Sequence, residues 1–191
     1  MDIIMDEDIK NCIDTLNRGG LILYPTDTIW GIGCDATNAD AVKRVYDLKR
    51  REDSKAMLVL LGNVNCLDRY VRDVPEIAYE LIDVAVSPLT IIYDNGYNLA
   101  PNLLGEQNSV GIRVTNEKFT QMLCKRFRRP IVSTSANISG KPSAATFKDI
   151  SHEIIEGVDY VVNYRKDDNE KRKASSIIKL GADGSIKILR K

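Results

Sequence analysis

The chain has 191 residues, 43% hydrophobic and 28% charged, which suits one soluble globular domain over residues 1–191. Its 27 Lys and Arg balance 27 Asp and Glu, so a global basic field for nucleic acid is excluded, while a local basic face is not. The lack of a membrane-length apolar run, the acidic N-terminus and four scattered cysteines with no C-x-x-C pair point to the cytoplasm, without membrane association.

In chain order, Asp6 can cap a helix whose Ile9, Cys12, Ile13 and Leu16 recur at helical spacing, closed by Gly19 and Gly20. Leu21 to Tyr24 predicts a buried strand that Pro25 ends. Thr26, Asp27 and Thr28 follow in a loop, then a tight glycine-bearing turn from Trp30 to Ala36. A helix starting near Asn38 runs into the basic loop Lys49 to Lys55, and Ala56 to Leu61 is the next strand. Short helices are expected around Cys66 to Val71 and after Pro75, then a strand over Leu89 to Tyr93 and an irregular stretch over 97–108. Ser109 to Val114 reads as a strand, Asn116 as a helix cap, and Ile131 to Ser135 as a strand. Thr146 to Ile155 reads as a helix carrying an exposed His152, and Tyr160 to Tyr164 as a strand. The charged loop 165–173 has no apolar anchor and is the best candidate for mobility. Ser175 to Leu180 and Ser185 to Arg190 predict a closing hairpin about Asp183 and Gly184. Strands alternating with helices, with the last strands paired directly, predict an α/β (α+β) mixed sheet flanked by helices.

The most informative stretch is 131–143. It opens with Ile131 and Val132 and then turns to Ser133, Thr134, Ser135 and Asn137, with Gly140 and Pro142 beyond. A strand ending in small donors and acceptors offers a ligand site at its carboxyl end. Thr26 to Thr28 repeat the plan upstream. Lys49, Arg51 and Lys55, taken alone, form a solvated helix end. Brought back beside those hydroxyls by a βαβ unit, they form a polyphosphate site without a P-loop. Arg113 near a strand end can grip a planar carboxylate or form an ordinary ion pair. Gly31-x-Gly33-x-x-Ala36 is not a dinucleotide fingerprint, because the glycines do not open directly into a helix. A single histidine leaves no zinc cluster and no Ser/His pair, and no metal-ligating set is expected.

The runs Tyr24-Pro-Thr-Asp-Thr28 with Gly31, Lys49-x-Arg51, Ser109-Val-Gly-Ile-Arg113, Ser133-Thr-Ser-Ala-Asn137 with Gly140-x-Pro142-Ser143, and Ile188-Leu-Arg190 resemble the YrdC/Sua5 family over nearly the whole chain. The resemblance implies a twisted mixed sheet flanked by helices around a concave basic cavity, the YrdC/RibB-like fold. It implies a nucleotidyltransferase, L-threonylcarbamoyladenylate synthase, which makes threonylcarbamoyl-AMP and pyrophosphate from threonine, bicarbonate and ATP. The product supplies N6-threonylcarbamoyladenosine at position 37 of tRNA through a downstream threonylcarbamoyl transferase complex. By position, Lys49 and Arg51 are catalytic, and Thr28, Arg113, Ser133 and Ser175 bind threonine. Lys49, Arg51, Lys55, Ser109, Ser135, Asn137, Ser143 and Arg190 bind the nucleotide. Mg²⁺ enters with ATP, and no tightly bound cofactor is implied.

Departures from the family pattern are Asp27 for Glu, Glu52 for Pro, Leu60 for a frequent His, and Val86-Ser-Pro-Leu-Thr90 for a Trp-Pro-Gly-Pro-Leu-Thr run. Ser175 lacks the preceding Glu of some relatives, and with the sequence ending just past Arg190 no appended second domain is expected. Two alternatives stand beside this reading. One is a tRNA- or double-stranded-RNA-binding module using Arg126, Arg128, Arg129, Arg165, Lys171, Arg172 and Lys173. The other is a YciO-like paralogue acting on a different substrate.

Overall fold

A computed structural model describes residues 3–51 and 57–191. Among the described residues nine strands form one sheet: β1 (Ile22–Tyr24), β2 (Gly31–Gly33), β3 (Leu58–Leu61), β4 (Leu89–Tyr93), β5 (Val110–Val114), β6 (Ile131–Ser135), β7 (Tyr160–Val161), β8 (Ser176–Leu180) and β9 (Ile186–Arg190). Their order across the sheet is β7-β1-β2-β6-β3-β5-β4-β8-β9. Pairing is mixed: β3 runs parallel to β5 and antiparallel to β6, while β1 is antiparallel to β2 and parallel to β7.

The α-helices among the described residues flank the sheet: α1 (Ile3–Asn17), α2 (Ala39–Lys49), α3 (Glu76–Asp83), α4 (Lys118–Phe127) and α5 (His152–Gly157). The α1 residues Met5, Ile9, Cys12 and Leu16 recur every three or four positions and are all buried, on the face that meets α4, β1 and β7. Asp6 is not the cap of α1. It lies in the first turn and pairs with Arg126 at 2.6 Å, so the helix lies across α4 with a cross-helix ion pair. The buried Asp8 carboxylate accepts from the Tyr160 hydroxyl at 2.5 Å and from the Tyr164 amide at 2.7 Å, fixing β7 to α1. Asn38 caps α2 as expected, accepting from the amides of Asp40 and Ala41. The α4 cap is Glu117 rather than Asn116, through a 2.8 Å bond from the Thr120 amide. Among the described residues no helix is long and apolar enough to cross a membrane.

Two expected elements differ. Trp30 to Ala36 contains the strand β2, wedged between β1 and β6, rather than a turn. Its glycines answer to close packing: a Cβ on Gly33 would lie 2.6 Å from the Tyr24 ring and 2.9 Å from the Val132 carbonyl oxygen. The stretch from Thr146 to Ile155 is broken into a 3-10 turn at Phe147–Asp149 and α5, because Thr146 and Asp149 close a capping box around the turn. The loop at 165–173 does have anchors, although polar ones. Arg165 pairs with Asp168 at 3.2 Å and Glu117 at 3.5 Å and donates to the Thr26 carbonyl at 3.1 Å.

Candidate active site

A cleft of about 300 Å³ opens on one face of the sheet. Strand side chains alternate between faces, so residues two apart share one. Thr90 and Ile92 of β4, Gly111 and Arg113 of β5, and Ser133 and Ser135 of β6 obey that spacing, and all line the cleft. Ser109 just before β5 and Ser175 just before β8 continue the same rows. One register row runs Ile92–Gly111–Leu58–Ser133 across four adjacent strands and forms the floor. A Cβ on Gly111 would meet its neighbours only at ordinary contact distance, 3.5 Å or more, so this glycine keeps the floor low rather than relieving a clash.

One wall is the loop between β1 and β2. Thr28, Ile29 and Trp30 line the cleft, and the loop is braced internally: Thr26 Oγ1 lies 2.9 Å from Thr28 Oγ1 and donates to the Ile29 carbonyl at 2.8 Å. Thr28 and Ser135 therefore share one cleft, although β2 lies between β1, which leads into the Thr28 loop, and β6, which carries Ser135. The Arg113 guanidinium, 2% exposed, donates to Thr28 Oγ1 at 3.2 Å and lies 3.0 Å from Asp27 Oδ1. Burial pushes the Asp27 carboxyl up, and the Arg113 charge opposes that rise. Arg113 Nε is buried without a hydrogen-bond partner among the described residues. Leu60 pairs in register with Arg113 on the neighbouring strand and is fully buried.

Behind β6, Lys49 is 1% exposed, and its ammonium donates to the carbonyls of Ser135 at 2.5 Å and Asn137 at 2.6 Å. Ser139 N donates back to the Lys49 carbonyl at 2.8 Å. Burial, with the neighbouring Arg51 charge, lowers the Lys49 ammonium to about 8. Arg50 ends α2 in the left-handed region at φ 49°, turning the chain so that Arg51 enters the cleft wall. Burial also lowers the Arg51 guanidinium. Asn137 donates to the carbonyls of Ile138 and Lys141 and thereby shapes the loop after β6; its Oδ1 is buried without a partner.

At the far wall, Thr90 Oγ1 and Ser175 Oγ lie 2.8 Å apart, both buried, and Arg190 Nε donates to the Ser175 carbonyl at 2.8 Å. The structure thus brings together Thr28, Arg51, Ser109, Arg113, Ser133, Ser135, Ser143, Ser175 and Arg190 around one space. Lys49 and Asn137 stand behind that wall as braces of the 135–139 loop, and Lys55 lies outside the described residues, as does Glu52. Sequence reasoning gave no role to Thr90, whose signal is a hydroxyl inside the apolar run Leu89 to Tyr93, or to Trp30 and Gly111. The cations of the RNA-binding alternative do not form a free stripe. Arg126 pairs with Asp6, Arg129 with Asp35, and Arg165 and Arg172 with Asp168.

The family model Sua5_yciO_yrdC, described as telomere recombination, matches residues 14–191. The chain belongs to this Sua5/YciO/YrdC family. The threonylcarbamoyl-AMP synthase of Pseudomonas aeruginosa strain UCBPP-PA14 is 37% identical over 132 residues, 69% of this chain and 71% of that protein. P. abyssi Sua5, solved in complex with L-threonine, shares the Sua5/YciO/YrdC fold with a TM-score of 0.84 at 24% identity, over 95% of this chain and 53% of that one. This chain therefore spans about half the length of that Sua5 protein. E. coli YciO superposes with a TM-score of 0.82 at 22% identity, over 96% of this chain and 88% of that one. These two structural likenesses carry the fold of the family and nothing finer.

Proposed function

We propose that this chain is an L-threonylcarbamoyladenylate synthase, a nucleotidyltransferase that joins threonine, bicarbonate and ATP into threonylcarbamoyl-AMP and releases pyrophosphate. The observation that carries the reading is the sharing of one cleft by Arg113 and Arg51, together with the hydroxyls of Thr28, Ser109, Ser133 and Ser135. Two anionic substrates brought into one small space need that arrangement: cations to neutralise charge and neutral donors to orient it.

The threonine carboxylate is bound by Arg113 with Thr28, and its hydroxyl and amine face Ser133 and Ser175. The threonine nitrogen takes up carbon dioxide derived from bicarbonate to give a carbamate. A carbamate oxygen then displaces pyrophosphate from the α-phosphorus of ATP. No protein nucleophile is needed. Arg51 and Arg190 stabilise charge on the phosphates, and Ser109, Ser135 and Ser143 donate to them. The buried floor excludes water from the carbamate, which otherwise decomposes. No carboxylate lines the cleft among the described residues, so Mg²⁺ arriving with ATP is held by phosphate oxygens and neutralises their charge. The product passes to a threonylcarbamoyl transferase that modifies adenosine 37 of tRNA in the cytoplasm.

The test is pyrophosphate release from ATP in the presence of bicarbonate and Mg²⁺, with threonine, serine, valine and no amino acid run side by side. Release that depends on threonine is expected. A rate indifferent to threonine overturns the reading, and a rate set by another amino acid supports the YciO-like alternative.

A further inference from the structure

A second cavity, of about 620 Å³, lies at the other end of β3 and β6 from the cleft. Leu58 and Ser133 face the cleft, whereas Leu61, three residues further along β3, and Pro130, just before β6, line the second cavity. Arg69, Lys125, Arg128 and Arg129 also line it, and no carboxylate does among the described residues. Arg129 is neutralised by the buried Asp35 at 2.6 Å. Arg69, Lys125 and Arg128 are exposed and have no ion-pair partner among the described residues. The helix dipole accounts for Lys125 in the last turn of α4 but not for a concavity ringed by three uncompensated cations.

The remaining lining is largely apolar, with Asn63 and Gln121 as its uncharged polar members. Met122, Cys124 and the half-buried Tyr70 ring join Leu61 and Pro130 in the wall. A continuing recess of about 490 Å³ shares Met122, Lys125 and Arg128 with the cavity. An apolar wall with an aromatic face, closed on one side by Arg and Lys donors, suits a ligand with a flat ring at one end and a dianionic group at the other.

We infer that this cavity is a second anion site that binds a nucleoside phosphate, with the phosphate on Arg69, Lys125 and Arg128 and the base against Tyr70. It is separate from the threonine and ATP cleft and does not rest on that reading. A concave, partly apolar cavity favours a small ligand over a nucleic-acid backbone, which needs an extended basic track; beside it Arg126 is already neutralised by Asp6.

The test is a titration of the full, isotope-labelled chain with AMP, followed through backbone amide resonances. Saturable shifts are expected in residues 61–70 and 121–129, separate from any shifts in 28–31 and 109–113. In Lys125→Glu/Arg128→Glu, and independently in Arg69→Glu, the first set should weaken at least tenfold in Kd while the second set and the circular dichroism stay unchanged. Shifts confined to 28–31 and 109–113, or an unaltered Kd in both variants, overturn the inference. Inorganic phosphate binding as tightly as AMP overturns the role of Tyr70. A short RNA duplex shifting 61–70 and 121–129 where AMP does not overturns the small-ligand assignment in favour of nucleic acid.

Discussion

Lys49 Nζ lies 2.5 Å from the carbonyl oxygen of Ser135, so the end of α2 is fixed to the end of β6 by a buried cation on a backbone acceptor. The same ammonium reaches Asn137 O, and Ser139 N returns a bond to Lys49 O. Three bonds hold the turn after β6 against the helix. They set the position of Ser135, which lines the cleft, while the cation itself stays behind the wall.

That burial makes stability depend on pH in an identifiable window. The Lys49 ammonium falls to about 8 in the folded chain, against an ordinary 10.5. Below pH 8 it is charged in both states and contributes no slope. Between pH 8 and 10.5 the unfolded chain binds the proton and the folded chain releases it, so stability contributed at this site rises with pH. From pH 8 to 9.5 the gain is about 2 kcal/mol. Urea unfolding of wild type and Lys49→Met at both pH values isolates this contribution, since other titrating groups cancel in the difference. Equal pH slopes in the two proteins would mean that the two carbonyls keep the ammonium charged.

Arg51 and Lys49 are separable by what their loss damages. Arg51 lines the cleft, so Arg51→Ala should lower threonine-dependent pyrophosphate release by roughly a hundredfold, about 2.7 kcal/mol of transition-state stabilisation. Lys49→Met removes two hydrogen bonds from charged donors and should lower the unfolding midpoint at pH 7 as well as turnover. Full activity in Arg51→Ala would remove that guanidinium from the chemistry.

Much of this was legible in the sequence. Val42, Val45 and Tyr46 marked the buried face of α2, Leu89 to Tyr93 were a strand to the residue, and the hydroxyl residues after Val132 line the cleft. Three features were not legible, each for a physical reason. Gly31 and Gly33 read as a turn because glycine permits one, whereas here they permit close passage beside Tyr24 and Ser133, a long-range constraint that no local pattern encodes. Lys49-x-Arg51 reads as a pair of phosphate ligands, but Lys49 is the last residue of α2 and turns inward, while the left-handed turn at Arg50 carries Arg51 to the cleft. Thr90 read as an ordinary β-branched strand residue, since its partner Ser175 is 85 residues away.

Asp27 supports Arg113. The guanidinium is 2% exposed, and Asp27 is its ion-pair partner at 3.0 Å among the described residues. Asp27→Ala leaves a buried charge uncompensated and should cost about 3 kcal/mol of unfolding free energy. The freed Arg113 also loses its aim, so the threonine KM should rise more than kcat falls. Asp27→Glu keeps the charge and should recover most of the stability. A threonine KM unchanged in Asp27→Ala would separate the ion pair from substrate binding.

Thr90 and Ser175 offer the sharpest test of the far wall. Their hydroxyls lie 2.8 Å apart and both side chains are buried, so each fixes the rotamer of the other. Thr90→Val keeps the shape and removes the hydroxyl, leaving Ser175 Oγ, among the described residues, the Arg190 Nη2 contact at 3.4 Å. The loss of one buried hydrogen bond should cost about 1–2 kcal/mol in stability. If Thr90 acts by orienting Ser175 toward threonine, Thr90→Val should lower kcat/KM for threonine about tenfold, and Thr90→Val/Ser175→Ala should be no worse than Ser175→Ala alone. The double-mutant cycle then shows a coupling of about 1.4 kcal/mol, the full tenfold effect. Strictly additive effects on kcat/KM would mean that Thr90 meets the substrate itself, which its place in the cleft lining also permits, and Ser175 would then be oriented from the Arg190 side.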